Sequence, residues 1–581
     1  MGHTEDTKGG TEVNEHSVKG RRRPARRAGR AFVAAGIGSL VLAMVFALVG
    51  IGVASASTRG HAATHASTSS ARAAHPSTKA PPCPYCGGAK PKEGGSMTVL
   101  EWTGYEGSWP GLDPETDTDG GADISYMDAI FGELFELGSG GKTIDDLATG
   151  YKYTNTDKTI DVFIRKGVKF SDGETFTPTA VAADWKADLS TSCSCKPTFD
   201  QPTPPTITVI TGGVSITLDY VDASFIAAMQ GSIFNWIVAP GALAKEGPTK
   251  FALTPVGAGP FEVVSDTPSS ELVLKKNPLY WQKGLPYLDT LTFKSVANTE
   301  AAYEAMLAGT GQAYEDISSP SLAKEFGKHF TLTSEPSTSP YDIQLNTAIA
   351  PFNTLTARKA IYYATTAKLL DDKLFGGATP VGESFEAPAG LFYEKTVPGY
   401  IGYNLKKAKA IVKKLGGLSF TLFTISNTAA IKMDEALQKM YEAAGMHVTL
   451  KDYTLTTLVS EFLGGQWQIA LQTAGAFTPA TGVGVGFRFT SHSPFSGVHS
   501  TTLDKLLGEA SATTTSGARK KYYADAAALI AKNAWGPFLF PINGYDTVIH
   551  GAGAPGLSTP LDAVDVVPAI LWEYAYNNNK S

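Results

Sequence analysis

Apolar and polar residues alternate at a period of two around residues 160–165: Ile160, Val162 and Ile164 share one face, Asp161, Phe163 and Arg165 the other. Such alternation predicts a strand whose two faces meet different surroundings. Gly167 lets the chain turn, and Asp172-Gly173 marks a second turn. Thr177 then reads as a helix N-cap, with Pro178 at the first helical position, where a missing N–H costs nothing. Residues 97–102 predict a first strand, followed by a loop over 103–121. Further along, 214–220 predicts a strand, 225–237 a helix, and 300–307 a helix whose buried face carries Ala301, Ala302, Ala305 and Met306. Strands over 419–424, 448–452 and 466–472 and helices over 431–444, 503–510 and 518–531 complete the pattern. This αβ rhythm builds mixed sheets with flanking helices.

The first 95 residues follow another pattern. A polar segment leads to the basic run RRRPARRAGR at 21–30, so residues 1–30 read as a basic cytoplasmic tail. An uncharged apolar stretch, 31–54, begins at once. At about 1.5 Å per helical residue it exceeds the roughly 30 Å of a bilayer core, and the positive charge before it holds the N-terminus inside. It ends in Ala54-Ser55-Ala56, the small-x-small pattern of a cleavage site. Residues 31–56 are therefore an uncleaved anchor or a signal segment. Residues 57–95, rich in Ala, Ser, Thr, Pro, His and Gly, cannot bury enough apolar surface to fold and read as a disordered linker.

Within that linker, Cys83-Pro84-Tyr85-Cys86 has the spacing of a glutaredoxin active site. Redox catalysis needs a preceding strand and a helix N-terminus under the first thiol, whereas Pro81-Pro82 precede and Gly87-Gly88 follow. Cys193 and Cys195 fall in a loop. Disulfides in an oxidising compartment are the expected use of all four cysteines, and their spacing is a poor match to a zinc ribbon.

The remainder of the 581 residues is too long for one core, so two or three domains are expected. Charged residues are 18% and the formal net charge is −6, which argues against nucleic acid as a partner. No other apolar run is long enough to span a membrane, so the body is not a permease. A secreted or anchored hydrolase is the rival class. No G-x-S-x-G or H-E-x-x-H motif occurs, and His447, His492, His499 and His550 are scattered. No catalytic residue, metal or cofactor is expected.

The opening hairpin carries a resemblance. IRKGVKFSDGETFTPTAV is similar to the LRKGVKFHDGTPFTAEDV signature of the family 5 extracytoplasmic solute-binding proteins, the oligopeptide, dipeptide and nickel-chelate receptors of ABC importers. It departs from that signature at Pro178-Thr179-Ala180, where the family has Ala-Glu-Asp. YMDAIFGELFEL at 126–137 looks like a helix of the family. PVGAGPF at 255–261, NPLYW at 277–281, GLPYLD at 284–289, YDIQLN at 341–346 and FGGATP at 375–380 resemble further family phrases in the same order, and PFLFPI at 537–542 resembles the strand by which the family's chain returns to its first lobe. The competing reading of Gly257 to Gly259 as a phosphate loop is poor, since Pro260 has no N–H and no Lys-Ser/Thr pair follows.

The resemblance implies an α/β fold of the bilobed periplasmic-binding-protein type. Lobe 1 spans 96–340, completed by 541–581, and lobe 2 spans 341–540. It also implies a small-molecule or peptide ligand enclosed between the lobes, and ABC permease subunits as partners. Loops after the first strand (Tyr105, Trp109) and after the strand at 466–472 (Gln472, Phe477, Arg488, Phe489) are expected to face the gap and bind ligand. Peptide-binding members hold the peptide ammonium with an Asp in a DYPDP-like segment, where this chain reads TAGAFTP, and no Asp or Glu occurs between Glu461 and Asp504. Arg488 is the charged side chain of that interval. An anionic or neutral polar solute paired to Arg488 is therefore expected, unless Glu101 or Glu106 supplies the missing acid.

Overall fold

The computed structural model describes residues 81–102, 112–116, 124–138, 141–190, 203–474 (without 231, 269, 316, 318, 426, 427 and 454), 481–491, 493, 497–541, 544–559, 563, 564, 567, 568 and 570–579. In chain order its strands begin with β1 (Ser96–Trp102), β2 (Phe135–Gly138), β3 (Lys142–Asp145), β4 (Ala148–Thr154), β5 (Thr159–Ile164), β6 (Thr206–Ile210) and β7 (Gly213–Thr217). Next come β8 (Phe261–Thr267), β9 (Glu271–Lys276), β10 (Thr290–Val296), β11 (Ala313–Tyr314) and β12 (Thr331–Glu335). Then follow β13 (Pro340–Leu345), β14 (Ser419–Ile425), β15 (His447–Tyr453), β16 (Ile469–Thr473), β17 (Phe538–Pro541) and β18 (Gly544–Val548).

The first lobe is built on a seven-stranded sheet of order β12-β18-β11-β1-β10-β9-β8, with a four-stranded antiparallel sheet, β4-β5-β7-β6, and the β2-β3 hairpin beside it. β1 runs parallel to both β10 and β11, and its inward residues Met97 and Val99 are fully buried. On β5, Ile160, Val162 and Ile164 are buried, the face that the alternation marks. The turn after it closes where Asp172 Oδ1 accepts the Glu174 N–H at 2.9 Å, and Thr177 Oγ1 caps the next helix, Pro178–Ser190, by accepting the Ala180 N–H at 3.1 Å. That helix seats Trp185 in the core, with its Nε1 donating to the Phe234 carbonyl.

The second lobe has a five-stranded sheet of order β15-β14-β16-β13-β17, with β14 parallel to β15 and β16. Separate apolar clusters fill the two lobes. The chain crosses between them from β12 into β13 and back from β17 into β18, which inserts between β11 and β12. The lobes also meet through Asp222-Ala223: the Ala223 N–H donates to the Ser511 carbonyl at 2.7 Å.

Three expectations are corrected. The helix expected over 126–137 stops at Phe131, because Gly132 takes φ +64°, and β2 follows. The helix expected over 225–237 is Phe225–Gln230 followed by a 3-10 turn, Ile233–Asn235. The last part of the expected linker, 81–95, is packed on lobe 1. The Cys83–Cys86 disulfide buries Cys86 among Tyr280, Leu285, Tyr287 and Tyr576, Pro81 O accepts from Tyr287 Oη, and Tyr85 O accepts from Thr559 Oγ1. A closed loop of this kind supplies the apolar surface that the composition of the segment lacks. Among the described residues no helix is long and apolar enough to cross a membrane; the 31–56 segment lies outside them, as do Cys193 and Cys195.

Candidate functional site

In open α/β sheets ligands gather outside the carboxyl ends of parallel strands. Lobe 1 presents there the end of β1, with Glu101 and Trp102, and the end of β11, followed by Glu315. Ser125, at the start of the helix Ile124–Phe131, donates its hydroxyl to Glu315 Oε2 at 2.6 Å. Burial, reinforced by Glu315, pushes the Glu101 carboxyl well above the usual range.

Lobe 2 presents the ends of β14 and β16 beside the first residues of β13, next to a hinge crossing. Register places Asp342 of β13 opposite Gln472 of β16, which is half-buried. On β13 the residues alternate strictly: Ile343 and Leu345 enter the apolar core, while Asp342, Gln344 and Asn346 form a polar stripe on the other face, all buried. Gln344 Nε2 donates to the Arg488 carbonyl and Asn346 Nδ2 to the Trp467 carbonyl. Arg488 Nε donates to the Thr473 carbonyl at 3.0 Å. Burial raises the Asp342 carboxyl to about 7, against the pull of the Arg488 guanidinium, and neither of its oxygens is hydrogen-bonded by another described residue.

Of the expected ligand residues, Gln472 and Arg488 therefore come together, and Asp342 joins them. The stretch 481–489, expected as loop, is a helix, Thr481–Phe489. This moves Phe489 into the core, where it is 0% exposed and its ring lies 6.1 Å from that of Phe538, so it is not a cleft residue. Tyr105, Trp109 and Phe477 lie outside the described residues. Asp342 is far in sequence from the TAGAFTP segment and comes beside it through the pairing of β13 with β16. Its signal was the polar stripe in YDIQLN, three polar residues at a period of two in a strand otherwise fit for the core.

The glycine pairs are structural. Ala258 and Gly259 donate their N–H groups to the carbonyls of Phe131 and Ile130, and a Cβ on Gly257 would lie 2.3 Å from the Ile130 carbonyl oxygen, so these two amides serve the fold and not a phosphate. Among the described residues no three His, Cys, Asp or Glu side chains are grouped to hold a metal ion.

The family model for bacterial extracellular solute-binding proteins, family 5, matches residues 142–491. The chain belongs to this family. Its curated relatives include the glutathione-binding protein GsiB of Salmonella choleraesuis strain SC-B67, 30% identical over 308 residues that cover 51% of this chain and 58% of the relative. GsiB of Escherichia coli K12 is 29% identical over 324 residues, 54% of this chain and 62% of the relative. The chain thus spans less than two thirds of these relatives. Among solved structures, the ABC transporter substrate-binding protein CtaP of Listeria monocytogenes superposes with a TM-score of 0.70 at 20% identity, covering 84% of this chain and 100% of CtaP. A dipeptide-binding protein of Pseudoalteromonas sp. SM9913, in complex with Met-Leu, gives a TM-score of 0.70 at 17% identity over 83% of this chain and 100% of its own. The binding protein MoaA with mannopinic acid, from A. tumefaciens R10, gives 0.70 at 18% identity over 84% and 100%. These likenesses establish the bilobed α/β fold.

Proposed function

We propose that this protein captures a small zwitterionic solute, a short peptide or amino-acid conjugate, between its lobes and delivers it to ABC permease subunits. The observation that carries this reading is the juxtaposition of Asp342, Gln472 and Arg488 at the edge of the lobe 2 sheet beside the hinge. A carboxylate of the ligand pairs with the Arg488 guanidinium, and its ammonium group is met by Asp342 from lobe 2 and by Glu101 from lobe 1. This replaces the anionic or neutral ligand expected from the TAGAFTP segment. The names of relatives and neighbours support it: glutathione, Met-Leu and mannopinic acid are what those proteins are said to bind. Tyr105 and Trp109, which follow β1 in the sequence, and Phe477, which follows β16, complete the contact surface in this proposal. The protein works outside the cytoplasm, held by residues 31–56 or released after their cleavage, and it breaks no bond in its ligand.

A thermal-shift panel tests the ligand class. A ligand at a hundred times its dissociation constant adds about 2.7 kcal/mol of stability. Di- to pentapeptides are expected to stabilise the protein, to lose most of that effect on N-acetylation or C-amidation, and to be recovered intact. A panel in which dicarboxylates or neutral sugars stabilise it while every zwitterion is inert overturns the reading, and cleaved ligand would favour the hydrolase.

A further inference from the structure

Five carboxyl side chains line one small cavity in lobe 1: Asp128 on the helix Ile124–Phe131, Glu133 after it, Glu136 on β2, Asp146 before β4, and Glu573 in the 3-10 turn Trp572–Tyr574. All are buried. The space measures about 10 Å³, close to the minimum that holds one water-sized guest. Three of the carboxyls have neutral donors: Trp236 Nε1 gives to Asp128, Asn235 Nδ2 to Glu133 and Trp281 Nε1 to Asp146. Glu573 Oε1, on a residue only 4% exposed, has no hydrogen-bond partner among the described residues.

The positive charge acting on the cluster is that of Arg165, which bears on Glu136 and Asp146 while its Nε donates to the Asp146 carbonyl and its guanidinium stacks 3.9 Å from the centre of the Trp281 ring. Glu315 acts on Asp128 from β11's end, and the phenols of Tyr280, Tyr574 and Tyr85 around the cavity add no cation. Among the described residues, five buried carboxyls against one guanidinium demand neutralisation, by protons or by a guest. Tyr85, the tip of the disulfide loop, lies near Glu136 and Glu573 and packs edge-on against Tyr574 with ring centres 6.2 Å apart, so the loop closes over this side.

We propose that the cavity holds a single small monovalent cation, sodium, potassium or ammonium, against the unsatisfied Glu573 oxygen. Divalent calcium gathers several carboxylates into one shell, and among the described residues no three acidic groups are spaced to do so. A singly charged ion fits one carboxylate and a space of one water. The site lies apart from Asp342, Gln472 and Arg488, so it stands whether or not the ligand reading does.

Thermal unfolding of the purified protein without added ligand, at constant ionic strength in sodium, potassium, ammonium or choline chloride, tests the site. At pH 8 at least one small cation is expected to raise the melting temperature saturably, by a few degrees above choline. At pH 5, below the value of about 8 to which burial lifts the Glu573 carboxyl, the difference is expected to vanish. Glu573→Gln is expected to abolish the cation effect at pH 8 while melting like the parent at pH 5; should it fail to fold, Glu136→Gln is read in the same way. Equal melting in all four salts at pH 8 overturns the proposal, leaving protons as the neutralising charge. So does full retention of the effect in the folded variant, or calcium saturating the protein at lower concentration than any monovalent salt.

Discussion

Asp434, at the inner face of the helix Thr428–Ala443, is 0% exposed, and burial lifts its carboxyl to about 7 against the pull of the nearby Thr424 hydroxyl. Its pKa is raised in the folded state, so the stability it permits is fully present below the unfolded value near 4 and is lost as pH rises through about 7. Asp434→Asn carries no such penalty. Urea unfolding of the two proteins is expected to show the variant gaining on the parent by on the order of a few kcal/mol between pH 5 and pH 8. At the ligand edge, Arg488→Gln is expected to weaken a carboxylate-bearing ligand at least tenfold by calorimetry, about 1.4 kcal/mol. Loss of an amidated ligand to the same degree would mean that the side chain acts by supporting Thr473. Residues of this kind were the least legible in the sequence. Arg488 was found because it stands alone in charge along its stretch. Asp342 was not, because antiparallel pairing of β13 with β16 brings it from a distant part of the chain.

Elements with a clean period were read well and those with a hidden break were not. Ile160, Val162 and Ile164 declared β5 through alternation, and Thr177-Pro178 declared the helix start through capping chemistry. In 126–137 both the helix and β2 are apolar, and only Gly132, where a Cβ would approach the Gly259 Cα at 3.2 Å, separates them. The helix Thr481–Phe489 was disguised by GVGVG, whose first glycine is there for space: a Cβ on Gly482 would lie 2.8 Å from the Tyr523 hydroxyl. The disulfide loop belongs to this scale too. Cys83→Ser/Cys86→Ser is expected to release 81–95 from lobe 1, seen as faster amide exchange there and around Tyr574, and to cost about 2 kcal/mol by the chain-entropy argument. Solute affinity is expected to stay within twofold. A large loss of binding would give the loop a part in the cleft.

At the scale of the molecule, the lobes touch where the chain does not cross. Arg519, on the helix Ser516–Asn533, acts across the gap on Asp222 and Tyr153, while its Nε and Nη2 hold the Thr513 carbonyl near the Ser511–Ala223 hydrogen bond. Arg519→Ala is expected to enlarge the radius of gyration of the unliganded protein by X-ray scattering and to weaken ligand binding several-fold, since closure then draws more on the ligand's own binding energy. An unchanged scattering curve would place the hold on closure elsewhere. The bilobed plan itself was legible only through the resemblance, because the family's phrases recur in the same order along this chain.

The β17-to-β18 return has a mechanical consequence. Because β18 inserts into the lobe 1 sheet and residues 81–95 bond to Asn578 through the Lys92 N–H and the Lys90 carbonyl, the two ends of the described chain are stitched to the same lobe and to each other. Any load arriving along the chain from upstream of Pro81 is borne by lobe 1. Lobe 2, joined to it through two crossings and the Ser511–Ala223 contact, is then the jaw that the ends of the described chain leave unstitched.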